Sequence, residues 1–211
     1  MARAQGARSQ MAVAFETQYG TAPASGFYLM PFASEDLGSE QGLLENELLG
    51  YGRDPLAPTL DVVTVEGDVS VPIDAEAWGV WLKGAFGNPN TTDNGDSTYD
   101  HVFTSGGWTL PSMAVEIGMP EVPHYAMNSG VRVDSLSWEM SRSGLLTATC
   151  SLVGQGEAVA GTSAAGTPSS YNLLRFGHFN GSITRNGVAL GNVVSAQITY
   201  SNNLDRIETI R

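Results

Sequence analysis

The segment Leu60-Asp-Val-Val-Thr-Val-Glu-Gly-Asp-Val-Ser-Val-Pro72 alternates β-branched residues with polar ones along its length. Alternation of this kind places apolar side chains on one face of a β-strand and polar side chains on the other. Valine and threonine are also favoured in strands. We therefore predict a strand or hairpin here, with Gly67 as a bulge or turn. The segment indicates a half-buried sheet as the scaffold of the chain.

Similar patterns recur through the second half of the chain. They predict antiparallel strands at residues 113–117, 131–140, 145–153, 173–179, 181–184 and 188–200. Asn186-Gly187 predicts a type I′ hairpin turn, because both residues tolerate positive φ. In the strand 131–140, two charged residues and two apolar residues share one face, namely Arg132, Asp134, Leu136 and Trp138. Either a bulge shifts the register of this strand or the strand crosses an interface.

One helix is predicted, over residues 75–86. Asp74 is placed to cap its N-terminus and Gly87 to end it. Its apolar face contains Trp78, Trp81 and Leu82, whose spacing is typical of packing against a sheet. The segment 43–50 has apolar spacing that fits a helix or a strand equally well.

The remaining segments are polar or rich in small residues. Residues 1–10 are predicted to form a mobile N-terminal arm, and residues 201–211 a C-terminal arm. The stretch 88–100 is long for a passive connection. Residues 154–170, rich in Ala, Gly, Ser and Thr, are predicted to be a flexible excursion unless a neighbour orders them. We expect a single domain over residues 1–211.

The charge of the chain is negative and unevenly distributed. The formal net charge is −12, and Arg53 and Lys83 are the only cations among residues 9–130, which carry seventeen carboxylates. Such a surface repels phosphate, which argues against a protein that grips DNA through its backbone. The sequence also lacks an apolar run long enough for a membrane span and a secretory leader.

The sequence shows no catalytic, cofactor-binding or metal-binding pattern. His101, His124 and His178 lack metal-ligand spacing, and Cys150 lies in a strand pattern that makes it a buried structural thiol. Oxygen ligands are close together between Asp93 and Asp100, but their spacing does not match a calcium loop. We interpret this stretch as a solvated turn and expect no enzyme activity.

Short motifs along most of the chain resemble those of one protein family. They are Gly-Thr-Ala-Pro at 20–23, Val-Glu-Gly-Asp-Val at 65–69 and Leu-Lys-Gly-Ala-Phe-Gly at 82–87. The second half adds Val-Arg-Val-Asp-Ser-Leu-Ser-Trp at 131–138, Ile-Thr-Arg-Asn-Gly-Val-Ala-Leu at 183–190 and Ala-Gln-Ile-Thr-Tyr-Ser-Asn-Asn-Leu at 196–204. In order and content these resemble the major tail tube proteins of long-tailed, siphovirus-type bacteriophages.

The resemblance implies a mainly β, antiparallel sandwich or barrel-like fold with one short helix, extended loops and terminal arms. It implies hexameric rings, closed by joining sheet edges, that stack into a tube through which DNA passes without specific binding. Residues 33–58 would be the ring-stacking loop, with residues 88–100 and 154–170 as further contacts. The implied partners are other copies, a tape measure protein in the lumen, and terminator and baseplate proteins at the tube ends. The implied location is the virion tail, with assembly in the host cytoplasm.

Acidic side chains on predicted strands are the candidates for the lumen wall, and they are Glu66, Asp68, Glu116, Asp134 and Glu139. Two alternatives remain at this point. One is a tail terminator or baseplate ring component with a similar β architecture. The other is a carbohydrate-binding β-sandwich in which Tyr99, Trp108 and Trp138 supply stacking platforms.

Overall fold

The computed structural model describes residues 3, 5–48, 52–54, 56–178, 181–191 and 193–207. The first strands are β1 (Gln10–Phe15), β2 (Tyr28–Leu29), β3 (Ser34–Glu35), β4 (Gly38–Leu44) and β5 (Thr59–Pro72), followed by helix α1 (Trp78–Phe86). Then come β6 (Asn90–Asp93), β7 (Tyr99–Val102), β8 (Met113–Met119), β9 (His124–Met140), β10 (Thr147–Gly154) and β11 (Gly156–Ala160). The last are β12 (Ser169–Ser170), β13 (Thr184–Arg185), β14 (Val188–Ala189) and β15 (Ala196–Ser201).

Eleven strands form one connected sheet, and the long strand β9 joins its two halves. The first half-sheet contains β1, β2, β8, β11, β12 and the start of β9. The second half-sheet contains β3, β4, β5, β10, β15 and the rest of β9. Every pairing is antiparallel except the short pair of β12 with β2. The fold is therefore mainly β, as the sequence predicts.

The two half-sheets and the helix share one core. Met11 and Val115 of the first half-sheet, Val69 and Leu152 of the second, and Trp81 of α1 belong to the same buried cluster. The sheet thus curls around an apolar interior, as in a sandwich or barrel. No helix in the described residues is long and apolar enough to cross a membrane.

A bulge in β9 explains why charged and apolar residues alternate on the same predicted face of the strand 131–140. Ser151 of β10 pairs with Ser135, whereas the next residue, Leu152, pairs with Val133, so Asp134 is the extra residue. The bulge reverses which alternate positions face inward. As a result Val133 and Leu136, which are three residues apart, are both fully buried. Of the two alternatives, the register shift is the one the fold uses.

The helix begins slightly later than predicted, at Trp78. The Asp74 carboxylate accepts hydrogen bonds from the backbone N–H groups of Ala77 and Trp78 at 3.0 and 2.9 Å, and it satisfies donors that the helix leaves free. Trp81 is 1% exposed, and Trp78 and Leu82 pack against the same cluster.

Several segments differ from the sequence-based expectation. Gly67 forms neither a bulge nor a turn, because β5 pairs with β10 continuously across it. Glycine is needed there for another reason: a Cβ atom would lie 2.5 Å from the backbone of Leu37. Residues 173–178 form only isolated bridges instead of a strand, and the predicted end of that strand, Phe179, lies outside the described residues. Asn186 and Gly187 have φ of 52° and 78°, which confirms the type I′ turn.

The excursion at 154–170 contains regular structure held by neighbouring elements, which is the condition under which the sequence allows it to be ordered. Strand β11 pairs with β9, and β12 pairs with β2. Between them, the Glu116 carboxylate accepts hydrogen bonds from the Ser163 hydroxyl at 2.6 Å and from the N–H groups of Ala164 and Ala165 at 2.6 and 3.2 Å. A buried acceptor thus fixes a segment whose own side chains are too small to do so.

Other predicted loops and arms also contain regular structure. Residues 90–102 form the hairpin β6–β7. Residues 38–44 form a strand, so Leu43 and Leu44 of the segment 43–50 are in a strand, whereas residues 45–48 are in neither a helix nor a strand. The first residues of the C-terminal arm are attached, since Asn202 donates from its side-chain amide to the carbonyl groups of Ala85 and Val133. In the N-terminal arm, Arg8 pairs with Glu121 at 3.0 Å. Residues 1–2, 4 and 208–211 of the arms, and 49–51 and 55 of the loop 33–58, lie outside the described residues.

Replacing Gly67→Ala is expected to lower the free energy of unfolding by about 1–3 kcal/mol, because the added methyl group overlaps the backbone of residues 36–37. Urea unfolding followed by tryptophan fluorescence measures the change. Gly156→Ala is the matched control, since a Cβ atom there meets nothing within 4 Å. Equal effects of the two substitutions would contradict the close approach.

Replacing Glu116→Ala is expected to cost about 1–3 kcal/mol, because it leaves buried N–H groups without an acceptor. Hydrogen–deuterium exchange should accelerate at residues 161–168 in particular. Glu139→Ala removes an exposed carboxylate and serves as the control. Unchanged exchange in the Glu116 variant would show that the tether does not order the segment.

Candidate functional site

The outer face of the second half-sheet is covered by hydroxyl groups. We name it the hydroxyl face; its members are Ser34, Ser70, Ser135, Ser137, Thr149, Ser151, Thr199 and Ser201. The strand registers align them in two rows. The first row runs Ser34, Ser70, Thr149, Ser137, Thr199 across β3, β5, β10, β9 and β15. The second row runs Asp68, Ser151, Ser135, Ser201 across four of these strands.

The hydroxyl face follows from strand alternation around buried partners. In β10, Thr149 and Ser151 alternate with Ala148, Cys150 and Leu152, which are at most 2% exposed. All side chains of the two rows are half-buried or exposed. Neither row contains a lysine or arginine, so the two rows offer hydrogen-bonding groups and one carboxylate. The next row in the register, Glu66, Val153 and Arg132, does contain a cation.

Three of the five predicted lumen carboxylates lie on or beside this face. Asp68 is part of the second row, Glu66 is exposed two residues before it in β5, and Glu139 is exposed near the end of β9. The Glu66 carboxylate forms an ion pair with the Arg206 guanidinium, with an N–O distance of 2.7 Å. Asp134, the bulged residue, is half-buried, and its carboxylate accepts a hydrogen bond from the Leu204 N–H group at 2.7 Å.

The fifth carboxylate, Glu116, is elsewhere. It lies in the first half-sheet, it is 4% exposed, and its two oxygens are used by the segment 163–165. In this chain Glu116 therefore acts as a structural acceptor. The sequence could not distinguish it from the exposed acids, because its hydrogen-bond donors are more than forty positions away.

A projecting hairpin is the second surface feature. Between residues 59 and 64, β5 pairs only with β4, and almost every side chain on both faces of this ribbon is exposed. Leu43 and Leu60 face each other across the hairpin and are 61% and 63% exposed. An isolated two-stranded ribbon with exposed apolar residues is marginal in water. The hairpin therefore has the properties of a segment that contacts another molecule.

Sequence reasoning missed one polar centre. The Glu16 carboxylate accepts hydrogen bonds from the N–H groups of Gly20 and Gly130, both at 2.8 Å, and from the Ser112 hydroxyl at 2.7 Å. It joins the turn after β1 to the middle of β9. The local signal is the pairing of an acid with Gly20, four residues later, where φ is 74°. The contact with Gly130 has no local signal.

The groups considered for chemistry occupy structural positions. Cys150 is fully buried, and burial, together with the Asp68 charge, raises the pKa of its thiol. In the β6–β7 turn, hydrogen bonds from Thr98 lower the pKa of Asp96, as in a solvated turn. The described residues contain no group of three or more His, Cys, Asp or Glu side chains placed to hold a metal ion.

The aromatic residues considered as carbohydrate platforms do not share a surface role. Trp138 packs edge-on against Trp78, with ring centroids 5.9 Å apart, and is part of the core periphery. Trp108 is fully exposed, and Tyr99 lies on the hairpin strand β7. A stacking platform that needs Trp138 on an open face is therefore not present.

Three solved structures are similar to this chain at low identity. The SPP1 tail tube shares 15% identity, covering 89% of this chain and 99% of that chain, with a TM-score of 0.47. The 6-fold symmetrised baseplate of the anti-feeding prophage shares 11% identity, covering 76% and 97%, with a TM-score of 0.45. The sheath–tube complex of an extracellular contractile injection system (PVC) in the extended state shares 8% identity, covering 72% and 88%, with a TM-score of 0.43. All three TM-scores are below 0.5.

Two comparisons of the amino-acid sequence concern the family of the chain. No curated protein sequence matches the chain significantly. The family model described as phage tail tube protein, in contrast, matches residues 6–211, which is nearly the whole chain. This is a family of structural proteins and not of enzymes. The chain belongs to the phage tail tube protein family.

Proposed function

We propose that copies of this chain close into hexameric rings, that the rings stack into the tail tube of a siphovirus-type phage, and that the hydroxyl face lines the lumen. Family membership makes the chain a structural component of a phage tail. The observation that carries the finer proposal is the two-row hydroxyl face without a cation. Six-fold closure is what the sequence resemblance implies.

The chemistry of the hydroxyl face suits a wall along which DNA slides. Each lysine or arginine that pairs with a phosphate releases counterions and holds the DNA in place. Serine and threonine hydroxyl groups bind water and make no such charge pair. Exposed Asp68 and Glu139 add repulsion for phosphate, whereas the charge of Glu66 is compensated by Arg206. A wall of this composition keeps DNA in the channel and does not anchor it.

The projecting hairpin supports the stacking part of the proposal. It forms most of the segment 33–58, which the resemblance identifies as the ring-stacking loop. Its apolar residues would be removed from water by a neighbouring ring, at a gain of about 25 cal/mol per Å² of apolar surface. The β6–β7 hairpin and the segment 154–170 are proposed as further contacts.

The proposed partners beyond other copies follow from position in the tail. A tape measure protein would occupy the lumen before DNA does, and terminator and baseplate proteins would close the two ends of the tube. Assembly would take place in the host cytoplasm, and the mature protein would reside in the virion tail.

Purified protein at rising concentration is expected to form hollow tubes of stacked rings in negative-stain electron microscopy, with a matching shift in size-exclusion chromatography. Tube formation should rise steeply with concentration, because each added ring buries edge strands and hairpins together. Single closed rings at every concentration would instead indicate a ring component at a tail end. A monomer throughout would contradict the proposal.

Labelling of Thr149→Cys tests the orientation of the hydroxyl face, since position 149 is at the centre of the first row. In free subunits the new thiol should react with a small maleimide and with a maleimide carried on a long polyethylene glycol chain. In tubes it should react only with the small reagent, because the polymer is too wide for the lumen. Native Cys150 is buried and serves as the unreactive internal control.

Two other labelling patterns would contradict a lumen position. Reaction of the tubes with both reagents would place the hydroxyl face on the outside of the tube. Reaction with neither reagent would place it in an interface between subunits.

A further inference from the structure

A large groove lies between α1, the edge of the first half-sheet and the β6–β7 hairpin. Its volume is about 870 Å³, and its walls are mainly apolar and aromatic. Representative wall residues are Phe15, Tyr28, Val80, Tyr99 and Phe103. Tyr28 is fixed by stacking on Tyr171, with ring centroids 4.8 Å apart. The groove is open to solvent and fits a protein segment with apolar side chains.

The lining of the groove contains an ammonium group that forms no ion pair within the described part of the chain. Lys83 is half-buried, and its Nζ atom lies 4.3 Å from the centre of the Phe15 ring. Lys83 is in neither of the two ion pairs found among the described residues. Glu76 and His101 also line the groove, so the groove itself contains one carboxylate, which is not within ion-pair distance of Lys83. A partly desolvated cation on an aromatic floor favours an acidic residue on whatever enters.

The tip of the β4–β5 hairpin has the complementary composition. In residues 43–48, Leu43, Leu44 and Leu48 are 61%, 52% and 62% exposed. Glu45 and Glu47 lie between them and are also exposed. Apolar side chains and carboxylates thus alternate within six residues, which is the combination that the groove accepts.

A chain cannot place this tip in its own groove. The tip adjoins the start of β5, whereas α1, whose first turn lines the groove, begins six residues after the end of β5. Strand β5 has fourteen residues. At about 3.3 Å per residue it separates the two features by roughly 45 Å along the strand. The tip and the groove are therefore different surfaces that can meet only between copies.

Contacts between two different surfaces have a structural consequence. They leave a free tip and a free groove on the assembled pair, so that addition can continue in one direction. An identical, two-fold contact would stop at a dimer. The separation along β5 is what stacking into an open tube requires.

We propose that the hairpin tip of one copy enters the α1 groove of a second copy, with the leucines on the aromatic walls and Glu45 or Glu47 paired with Lys83. This inference rests on the proposed tube assembly and names the two surfaces that hold successive rings together.

Charge exchange tests the pairing in the full-length protein. Lys83→Glu alone, and Glu45→Lys with Glu47→Lys alone, should each raise the concentration at which tubes form by about tenfold, because like charges then meet. All three substitutions in one chain should restore assembly. The control variant carries Asp61→Lys and keeps Glu45 and Glu47, since Asp61 is exposed on the same hairpin but outside the tip. Combined with Lys83→Glu, it should not restore assembly.

A disulfide readout locates the contact directly. Leu44→Cys combined with Glu76→Cys, at the tip and in the groove, should give a ladder of covalent oligomers on oxidation of assembled protein. Either substitution alone should give at most dimers. Circular dichroism and urea unfolding of each variant establish that the subunit is still folded.

The possible outcomes separate the two proposals. Tubes without charge rescue and without a ladder would overturn the groove contact and leave the tube function intact. A wild-type protein that stays monomeric, with no ladder from the cysteine pair at the same concentration, would overturn both. Rescue together with the ladder would establish the tip and groove as the ring-to-ring contact.

Discussion

The scaffold depends on β9 having hydrogen-bonded neighbours along both edges. One edge pairs with β10 and then with β11, and the other with β15 and then with β8. Where β15 ends, residues 202–204 continue along the bulge at Asp134, so donors and acceptors there also have partners. Because a buried unpaired backbone group is costly, this continuity lets one strand pass from the first half-sheet to the second.

Sequence patterns predict the parts of this scaffold that depend on local rules. Alternation places β5, β8 and β10 within a few residues of their observed bounds, and Asp74 marks the helix start. They also show that charged and apolar residues would share one face of the strand 131–140, and the bulge at Asp134 explains this mixture. The lumen candidates were chosen by acidity and strand position alone, which is why exposed Asp68 and buried Glu116 could not be told apart.

What the sequence does not reveal comes from contacts between distant residues. The tether of Glu116 to residues 163–165, the contact of Glu16 with Gly130 and the approach of residues 36–37 to Gly67 have no pattern within a short window. In each case a contact between residues far apart in the sequence determines a conformation that the local sequence does not predict. Part of the acidity of the chain is thereby explained, since Glu16, Asp74 and Glu116 serve as acceptors for backbone N–H groups.

The chemistry of the hydroxyl face has a consequence for its behaviour in different media. Serine and threonine hydroxyl groups do not titrate in the physiological range, and each is both donor and acceptor. The first row consists of hydroxyl groups alone, so its hydrogen-bonding capacity is the same in acidic and neutral surroundings, and added salt has no charge there to screen. Asp68, in the second row, is the one charged member of the two rows. A row of this kind keeps the same hydrogen-bonding character toward whatever contacts it when pH or ionic strength changes.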